Sequence, residues 1–580
     1  MAVFRFLRTA RCLEPAQALA QATWRLRWLW EDPQRFARRC NPPPAPKCAW
    51  QLRQAWLPPW AGKNTSTEML AGRWTFLNRP RRLSWPPEWQ TDGEARLWQY
   101  NLHYFDYLWA LDYADGKTLV TDWTARCPLG RGSIGWESYP TSLRLANWCG
   151  YFWGANRHRI QEDRSFHRRL WESAYLQAQW LYRHIERHLL GNHLLENAAA
   201  LTLAGTCLDG ADAARWYRRG MEILAEQLPA QILPDGGHYE RSPMYHQRVM
   251  HVLAMLLNTG SEELAGLLVE PLTRMAVAMR RMCHGDGQIA LFNDSALGVC
   301  NPPGELLDYV RRLIGGAGEA GLSVGVFALP DSGYYGSSLD DGTFVICDAG
   351  PIGPRCQSGH GHGDVFSFEL SLRGCRLIVD SGVHDYHAGP MRDYCRSTAA
   401  HNTLTINGLD SCESWGVFRV GRRAEVHDVS WEPLGEGFRL EAWHDGYRHL
   451  RGRPVHSRRF TFRRPGVLMF RDNVTSAVPV RGVSRLHLHP DCRLQAVTDT
   501  RAEVAFPAGR LTVCFAGPGR LTVEKGMYCP QFGLAIDNPV LAFTSAGRDM
   551  AIGACIAPAG AVSTFDLEQG AIIDGRLFGW

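Results

Sequence analysis

The sequence contains little lysine: four lysines stand beside 59 arginines in a chain of 580 residues. It also has little net charge, +5 at pH 7, which excludes a protein built to coat nucleic acid over its whole surface. Because 45% of the residues are hydrophobic and 21% are charged, disorder, collagen and coiled coil are excluded as the main state. The planar guanidinium group suits carboxylates, so the arginine excess favours an acidic partner.

No stretch of 18 apolar residues occurs in the chain, so no membrane span is expected. The first thirty residues have no uninterrupted apolar region and predict an amphipathic helix rather than a signal peptide. The 17 cysteines include no C-x-x-C pair, which argues against a disulfide framework and against a cysteine-based zinc site. These absences favour a cytoplasmic protein, or a periplasmic one if the true start lies upstream. They leave the oligomeric state open.

Three segments of the chain differ in pattern, and 580 residues are too many for one compact core. Residues 1–65 are basic and rich in tryptophan, and they predict a helical extension. Residues 66–325 place apolar side chains three and four apart, which predicts helices between loops rich in Gly, Asp and Pro. Since β–α alternation is missing, repeated helix pairs favour an α/α toroid. The clearest predicted helices lie at 162–188, 193–208, 211–228, 243–258 and 261–283.

Residues 326–580 instead show short apolar runs separated by Gly- and Asp-rich turns, after a linker-like GGAGEAGLSVG stretch. Strands without intervening helices predict a large antiparallel β-sandwich. The predicted strands include Thr343–Asp348, Phe366–Leu372, Arg376–Asp380, Asn402–Asn407, Arg459–Phe462 and Arg510–Phe515.

Tryptophan is in excess, and 17 of the 22 tryptophans precede residue 181. Tryptophan packs in cores and also stacks on sugar rings, so the count alone identifies neither role. Arg144 and Asn147 lie three apart beside Trp148, and they could bind a sugar carboxylate while the indole stacks on the ring. Most aromatic residues of this segment are expected in the core.

Two polar clusters stand in the helical half. Asn192 can cap a helix, while His193 and Glu196 share a helical face and could both point into a cleft. In the segment 235–246, Ser242-Pro243 predicts a helix start. Seven of the twelve residues in that segment are ionisable, phenolic or imidazole side chains, more than a capping turn needs. This density predicts a functional site.

Two further clusters stand in the β half. His360 and His362, in GHGHGD, would face the same side of an extended segment, and the glycines allow close approach of a ligand. Asp380 and His401 lie at the ends of predicted strands, so with His362 they could offer zinc one carboxylate and two imidazoles. A polar turn with solvated histidines is the alternative.

In this order, the clusters resemble the heparinase II/III-like polysaccharide lyases over roughly residues 100–420. The most specific parts are GHGHGD with the following FSFEL, LIVDSG at 377–382, AHNTLTING at 400–408 and DGGHYERSPMYH. The resemblance implies an α/α toroid followed by an antiparallel β-sandwich, and β-elimination of a uronic-acid glycoside in an acidic poly- or oligosaccharide. The WESYPTSLRLANW block resembles members encoded near polysaccharide-assembly genes, which implies a link to exopolysaccharide or capsule metabolism.

The chemistry of this elimination explains the residue types. The sugar C5 proton is weakly acidic, so hydrogen-bond donors must neutralise the adjacent carboxylate before a base removes the proton and an acid protonates O4. The resemblance implies that Asn192 and His193 neutralise the carboxylate. It implies that Tyr245 protonates the leaving group and that His360 is the base, with Tyr245 as a second candidate for the base.

The resemblance also implies one structural zinc ion per chain, held by His362, Asp380 and His401. Tyr239 competes with Tyr245 for the role of the acid. Contacts with substrate are expected from Arg144, Asn147, Trp148, Glu196, Tyr239, Arg241 and His246.

Two other functions stay open. A glycoside hydrolase on the same toroid would use carboxylates such as Asp235, Glu240 or Glu196. A non-catalytic glycan-binding or assembly factor would bind without turnover. Nucleic acid is not expected as a partner.

Overall fold

The computed structural model describes residues 2–43, 52–315 and 324–580. Most of the predicted linker, residues 316–323, lies outside the described residues. The α-helices are α1 (Ala2–Ala10), α2 (Pro15–Trp30), α3 (Pro33–Arg39), α4 (Ser66–Leu70), α5 (Arg96–Tyr104), α6 (Tyr113–Arg126), α7 (Ser138–Trp148), α8 (Arg157–Glu162), α9 (Arg164–Arg183), α10 (Gly191–Cys207), α11 (Ala211–Gln231), α12 (Pro243–Leu257), α13 (Glu262–Arg281), α14 (Pro303–Ile314) and α15 (Pro390–Arg396).

Strands dominate from residue 325 onward, after one short hairpin in the helical half. The strands are β1 (Arg73–Phe76), β2 (Arg79–Arg82), β3 (Gly325–Leu329), β4 (Tyr334–Ser338), β5 (Phe344–Asp348), β6 (Phe368–Leu372), β7 (Cys375–Ile378), β8 (Leu404–Ile406), β9 (Ser414–Trp415), β10 (Arg419–Val420), β11 (Val426–Leu434), β12 (Gly437–His444), β13 (Val455–Arg463), β14 (Val467–His487), β15 (Arg493–Val497), β16 (Arg501–Phe506), β17 (Gly509–Ala516), β18 (Gly519–Gln531), β19 (Leu534–Pro558), β20 (Val562–Asp566), β21 (Gly570–Ile573) and β22 (Arg576–Phe578).

Tryptophan fills the core of the helical half. Trp123 shows the pattern, because its ring contacts those of Phe105, Trp136 and Trp148 at centroid distances of 6.3, 5.6 and 5.5 Å. Replacing one such buried indole with alanine costs about 3–5 kcal/mol. Helix packing therefore accounts for most of the tryptophan excess. The fully buried indoles are Trp74, Trp98, Trp123, Trp148, Trp153, Trp171, Trp180 and Trp216.

Two antiparallel sheets face each other in the second half. One has five strands in the order β3-β4-β5-β6-β7. The other has ten: its path runs β11-β12-β13-β14-β19-β17-β16-β15, with β18 paired to β19 and β8 paired to β14. Phe368 of the first sheet packs on Phe460 and Phe470 of the second, with ring centroids 5.6 Å apart in both contacts. A shared apolar core between two sheets defines a β-sandwich.

The predicted fold class is confirmed: a helical toroid precedes an antiparallel β-sandwich. The predicted helix start at Ser242-Pro243 is also present, because the Ser242 hydroxyl accepts the backbone N–H of Tyr245 at 3.2 Å. The β1–β2 hairpin was not predicted, since the RPRR of its second strand lacks apolar alternation. None of the helices in the described ranges is long and apolar enough to cross a membrane.

Loops of the two halves meet and are joined by polar contacts. The Asp235 carboxylate accepts the backbone N–H of Ser332 at 2.6 Å, and Arg241 donates to the Ser332 carbonyl at 3.0 Å. Farther along, the backbone N–H of Asp294 donates to the His360 carbonyl at 3.0 Å. The polar clusters of the toroid therefore face those of the sandwich.

Candidate active site

Tyr245 and His360 come together at this junction from opposite halves of the chain. Tyr245 lies in the first turn of α12 and His360 in the loop before β6, and their ring centroids are 4.2 Å apart. Tyr386, from the loop after β7, places its hydroxyl 2.9 Å from that of Tyr245. Burial, with Asp294 nearby, raises the pKa of both phenols well above the usual value, so both stay protonated. The site thus pairs an imidazole with two neutral phenols.

Asp294 fixes the orientation of His360. Its carboxylate accepts from Nδ1 of His360 at 2.8 Å and from Nε2 of His362 at 2.8 Å. The guanidinium of Arg392 forms a two-pronged ion pair with the same carboxylate, one prong at 2.8 Å. Burial would raise the pKa of Asp294, but Arg392 and the two imidazoles hold it well below its usual range. An ionised Asp294 keeps the proton of His360 on Nδ1 and leaves Nε2 as the acceptor.

Asn192 and His193 lie at the start of α10, beside Tyr139. The Asn192 side-chain amide donates to the Tyr139 hydroxyl at 3.3 Å, and its buried Oδ1 has no partner among the described residues. The His193 ring stacks on Tyr139 at 4.2 Å, and its Nδ1 lies 3.2 Å from the Glu186 carboxylate. Burial lowers the pKa of His193, but nearby carboxylates, with Glu186 first, raise it overall. This favours a cationic imidazole.

Glu196 and Arg248 form a buried ion pair near Tyr139. Nε of Arg248 donates to Glu196 at 2.8 Å, and 15% of the Arg248 side chain remains exposed. Arg248 follows Tyr245 by three residues on α12, so the two side chains share a helical face. Burial would lower the pKa of Arg248, but Glu196, Tyr139 and Asp106 raise it well above its usual value. Arg248 is not among the residues predicted from the sequence.

Arg144, Asn147 and Trp148 lie in the core, which contradicts their predicted contact with substrate. Arg144 is fully buried over the Trp123 ring, 4.0 Å from its centroid. Its donors reach the side chain of Gln177 and the Gly135 carbonyl at 2.9 and 2.7 Å. The Asn147 amide accepts from the Trp109 indole N–H at 2.8 Å and donates to the Tyr104 carbonyl and the Asp106 carboxylate at 2.9 and 2.8 Å. The prediction that Arg144 binds a sugar carboxylate is wrong, because the side chain is fully buried and its Nε, Nη1 and Nη2 atoms all donate within the core.

Backbone groups at the junction are bound by the side chains of Tyr239, Arg241 and His246. The Tyr239 hydroxyl accepts the backbone N–H of Gly191 at 2.9 Å, and Nε, Nη1 and Nη2 of Arg241 each donate to a backbone carbonyl. Nε2 of His246 lies 3.0 Å from the Met275 carbonyl. Of the two tyrosines that competed for the acid, Tyr245 is the one whose ring contacts His360.

His362, Asp380 and His401 form a buried cluster behind the site. The rings of His362 and His401 are 5.3 Å apart, and Nδ1 of His401 lies 2.8 Å from Asp380. Nδ1 of His362 and Nε2 of His401 are buried without partners among the described residues. Within those residues, no three His, Cys, Asp or Glu side chains are arranged to hold a metal ion. The two orphaned nitrogens fit a cation, whereas Asp380 is bonded to His401.

The fold and this junction define a two-domain protein of the toroid and β-sandwich class. Two family models match the chain: "Heparinase II/III N-terminus" over residues 113–301, and "Heparinase II/III-like, C-terminal" over residues 323–551. The chain belongs to the heparinase II/III-like family.

Two relatives with different names are each similar to part of this chain. A heparin-sulfate lyase of Bacteroides stercoris is 26% identical over 297 residues, which are 45% of this chain and 41% of the relative. FtsZ-localized protein C of Caulobacter vibrioides is 28% identical over 348 residues, 54% of this chain and 57% of the relative. The chain therefore spans about half the length of the curated relatives it matches, or less.

Solved structures agree in fold. A crystal structure of heparinase III has a TM-score of 0.71 at 16% identity, with 94% of each chain covered. Heparan sulfate lyase HepC from Pedobacter heparinus has a TM-score of 0.59 at 18% identity, with 97% of this chain and 94% of that chain covered. At these identities the likeness shows the fold alone.

Proposed function

We propose that the protein is a polysaccharide lyase that cleaves a uronic-acid-containing glycan by β-elimination. The observation that carries this proposal is the contact between Tyr245 and His360, with Asp294 behind the imidazole. It supplies a proton acceptor and a proton donor side by side, as elimination requires. Relatives named heparin-sulfate lyases support the class of reaction and an acidic glycan as substrate.

In this proposal, the sugar carboxylate binds near Asn192 and His193. Removal of the C5 proton shifts negative charge onto that carboxylate, so donors preorganised there lower the barrier. The surrounding carboxylates raise the pKa of His193 and favour its cationic form, which suits this role. Arg248 adds a second positive charge near Tyr139, the ring on which His193 stacks.

The proton transfers then follow from the protonation states. Nε2 of His360 accepts the C5 proton, the C4–C5 double bond forms and the C4–O4 bond breaks. The Tyr245 hydroxyl gives its proton to the departing O4, and the proton gained by His360 then restores Tyr245, directly or through Tyr386, whose hydroxyl lies 2.9 Å away. Because the raised pKa values keep both phenols neutral, Tyr245 is better suited to be the acid than the base.

We further propose one structural zinc ion per chain, with His362, His401 and Asp380 as its ligands. Zinc would hold the loop that carries His360 and would not act on substrate. The two orphaned, buried imidazole nitrogens support this proposal. About one zinc per chain is expected by elemental analysis of freshly purified protein, and its absence would contradict the assignment.

The alternatives receive less support. Of the hydrolase candidates, Asp235 is bonded to Ser332, and Glu240 accepts the backbone N–H of Asn192 at 2.9 Å. The relative named FtsZ-localized protein C favours a binding or localisation role as the second candidate. That role would not need the Tyr245–His360 contact.

A screen of acidic glycans tests the proposal. A lyase generates an unsaturated uronate, which appears as new ultraviolet absorbance without addition of water. Tyr245→Phe should abolish that signal, because it removes the proton donor, while the fold survives. A hydrolase would release reducing sugar without the chromophore and would tolerate Tyr245→Phe. Glycan binding without turnover that survives the loss of His193, Tyr245 and His360 would instead support the non-catalytic role.

A further inference from the structure

Helix α1 is amphipathic, but its apolar side is the one that faces solvent. Phe4, Phe6 and Leu7 have 66%, 58% and 48% of their surface exposed. Its polar side rests on the β9–β10 hairpin, where Nε of Arg8 donates to Glu413 at 2.8 Å and the Thr9 hydroxyl donates to the Val420 carbonyl at 3.1 Å. A surface helix of a globular protein normally has the opposite orientation.

Helix α2, which packs against the toroid, also exposes apolar side chains to solvent. Its inner face is anchored, since buried Gln17 donates to the His188 carbonyl at 3.1 Å and Trp28 packs edge-on against Trp180. Its outer face carries Leu19, Leu26, Leu29 and Trp30, the last with 84% of its surface exposed. Leu26 lies seven residues after Leu19, and Leu29 and Trp30 lie three and four residues after Leu26, so the four share one face of the helix. Apolar side chains exposed side by side on one face mark an interaction site. We call this set the N-terminal apolar surface: Phe4, Phe6, Leu7, Leu19, Leu26, Leu29 and Trp30.

The same segment carries the charge imbalance of the chain. Residues 1–40 contain eight arginines and three carboxylates, so their net charge of +5 equals that of all 580 residues. Seven of these arginines are exposed, and the side chains of five of them make no hydrogen bond or ion pair with the rest of the described chain. These five are Arg11, Arg25, Arg35, Arg38 and Arg39.

We propose that the N-terminal apolar surface binds the face of an anionic phospholipid bilayer. The phenyl, leucyl and indole groups would enter the boundary between headgroups and acyl chains, and the unpaired arginines would contact the anionic headgroups. A second copy of the chain fits less well, because it would bring two surfaces of net charge +5 together. Nucleic acid would match the arginines but leave the apolar side chains exposed. The proposal is independent of the lyase reaction.

Cosedimentation of the full-length protein with vesicles tests the proposal. Vesicles of phosphatidylcholine and phosphatidylglycerol (70:30) should bind the protein, and pure phosphatidylcholine vesicles should bind it far more weakly. The apolar variant Phe4→Ser/Phe6→Ser/Leu26→Ser should lose most of this binding. The charge variant Arg11→Gln/Arg25→Gln should lose roughly fivefold per arginine, and high salt should act in the same direction.

A matched control changes exposed apolar side chains elsewhere. Val523→Ser/Leu577→Ser alters two exposed residues of the sandwich, 48% and 62% exposed, and should bind vesicles like the wild type. All these variants should unfold at the wild-type temperature, since exposed side chains make few contacts. Three results would overturn the proposal: no binding of the wild type to the anionic vesicles, equal binding of the apolar variant, or a wild-type dimer in solution that the apolar variant dissociates. The proposal would also be overturned if duplex DNA displaced the protein from the vesicles and the apolar variant bound that DNA as tightly as the wild type does.

Discussion

Asp294→Asn replaces one buried carboxylate oxygen with an NH2 group and tests whether Asp294 sets the tautomer of His360. Asp294 is fully buried and accepts from His360, His362 and Arg392. The amide keeps the shape of the carboxylate but removes its charge and can donate to Nδ1 of His360. The proton of His360 then moves to Nε2, the atom that accepts the C5 proton in the proposed reaction. The same change at the carboxylate of a Ser-His-Asp triad lowers kcat about 10⁴-fold, and we expect a loss of about 10³- to 10⁴-fold here.

The stability of this variant should also fall, because Arg392 keeps a buried charge without its partner. Breaking one side of a buried ion pair costs about 3–5 kcal/mol. Asp472→Asn is the matched control, since that fully buried carboxylate also accepts from one histidine and one arginine, His456 at 2.7 Å and Arg458 at 2.6 Å. It lies within the ten-stranded sheet, so its loss of stability should be similar while kcat stays near the wild-type value.

The assay combines product absorbance, on the glycan found by the screen, with urea unfolding of both variants. Asp294→Asn should lower kcat with KM nearly unchanged, because Asp294 acts through His360 and is buried away from substrate. Two results would refute the reasoning. One is a folded Asp294→Asn protein whose kcat lies within tenfold of the wild type. The other is an equal loss of kcat in Asp472→Asn, which would attribute the effect to stability.

Two further predictions concern buried charges away from the reacting groups. Arg144→Met should lower the free energy of unfolding by roughly 1–3 kcal/mol, because it leaves Gln177 and the Gly135 carbonyl without their donor, and KM should not change. A rise in KM of tenfold or more would instead support the predicted contact between Arg144 and the substrate. Burial would raise the pKa of Asp472, but Arg458 and His456 hold the pKa well below the usual 3.8. The ionised carboxylate therefore stabilises the fold fully above about pH 4, and this stabilisation is lost as the pH falls through the folded pKa. Acid unfolding curves should therefore be less steep for Asp472→Asn than for the wild type, and identical slopes would contradict this assignment.

The sequence was sufficient to predict the order of helices and strands and the Tyr245–His360 pair. The order of helices and strands follows from local signals such as apolar spacing and a Ser-Pro helix start. The pairing of Tyr245 with His360 was instead implied by the resemblance to the lyase family. It was not sufficient for Asp294, Tyr386 or Arg392, because each lies in an ordinary loop or helix and meets its partner across 66 to 141 residues of chain. Such pairings depend on how the toroid and the sandwich dock, which no spacing within one segment records.

For Arg144 the error is the opposite one, because the sequence predicted a substrate contact that the structure contradicts. An arginine three residues from an asparagine and beside tryptophans has the composition of a sugar site, and it also has the composition of a core in which a guanidinium lies over an indole. Helical spacing tells which side chains share a face, but the neighbouring helices decide whether that face meets solvent. Here the backbone carbonyls of His103 and Gly135 satisfy the guanidinium inside the core.

The buried charges around His360 bear on the choice between a lyase and a binding factor. An isolated buried ion pair is weak evidence of stabilisation, because apolar residues of similar volume often hold a fold as well. Asp294 nevertheless collects two imidazoles and one guanidinium, and the result is one fixed tautomer of a histidine that packs against a protonated phenol. A binding surface does not require a particular tautomer, whereas abstraction of a C5 proton does. The arrangement therefore favours catalysis over binding alone, and the Asp294→Asn variant tests that preference directly: a glycan ligand should still bind while turnover is lost.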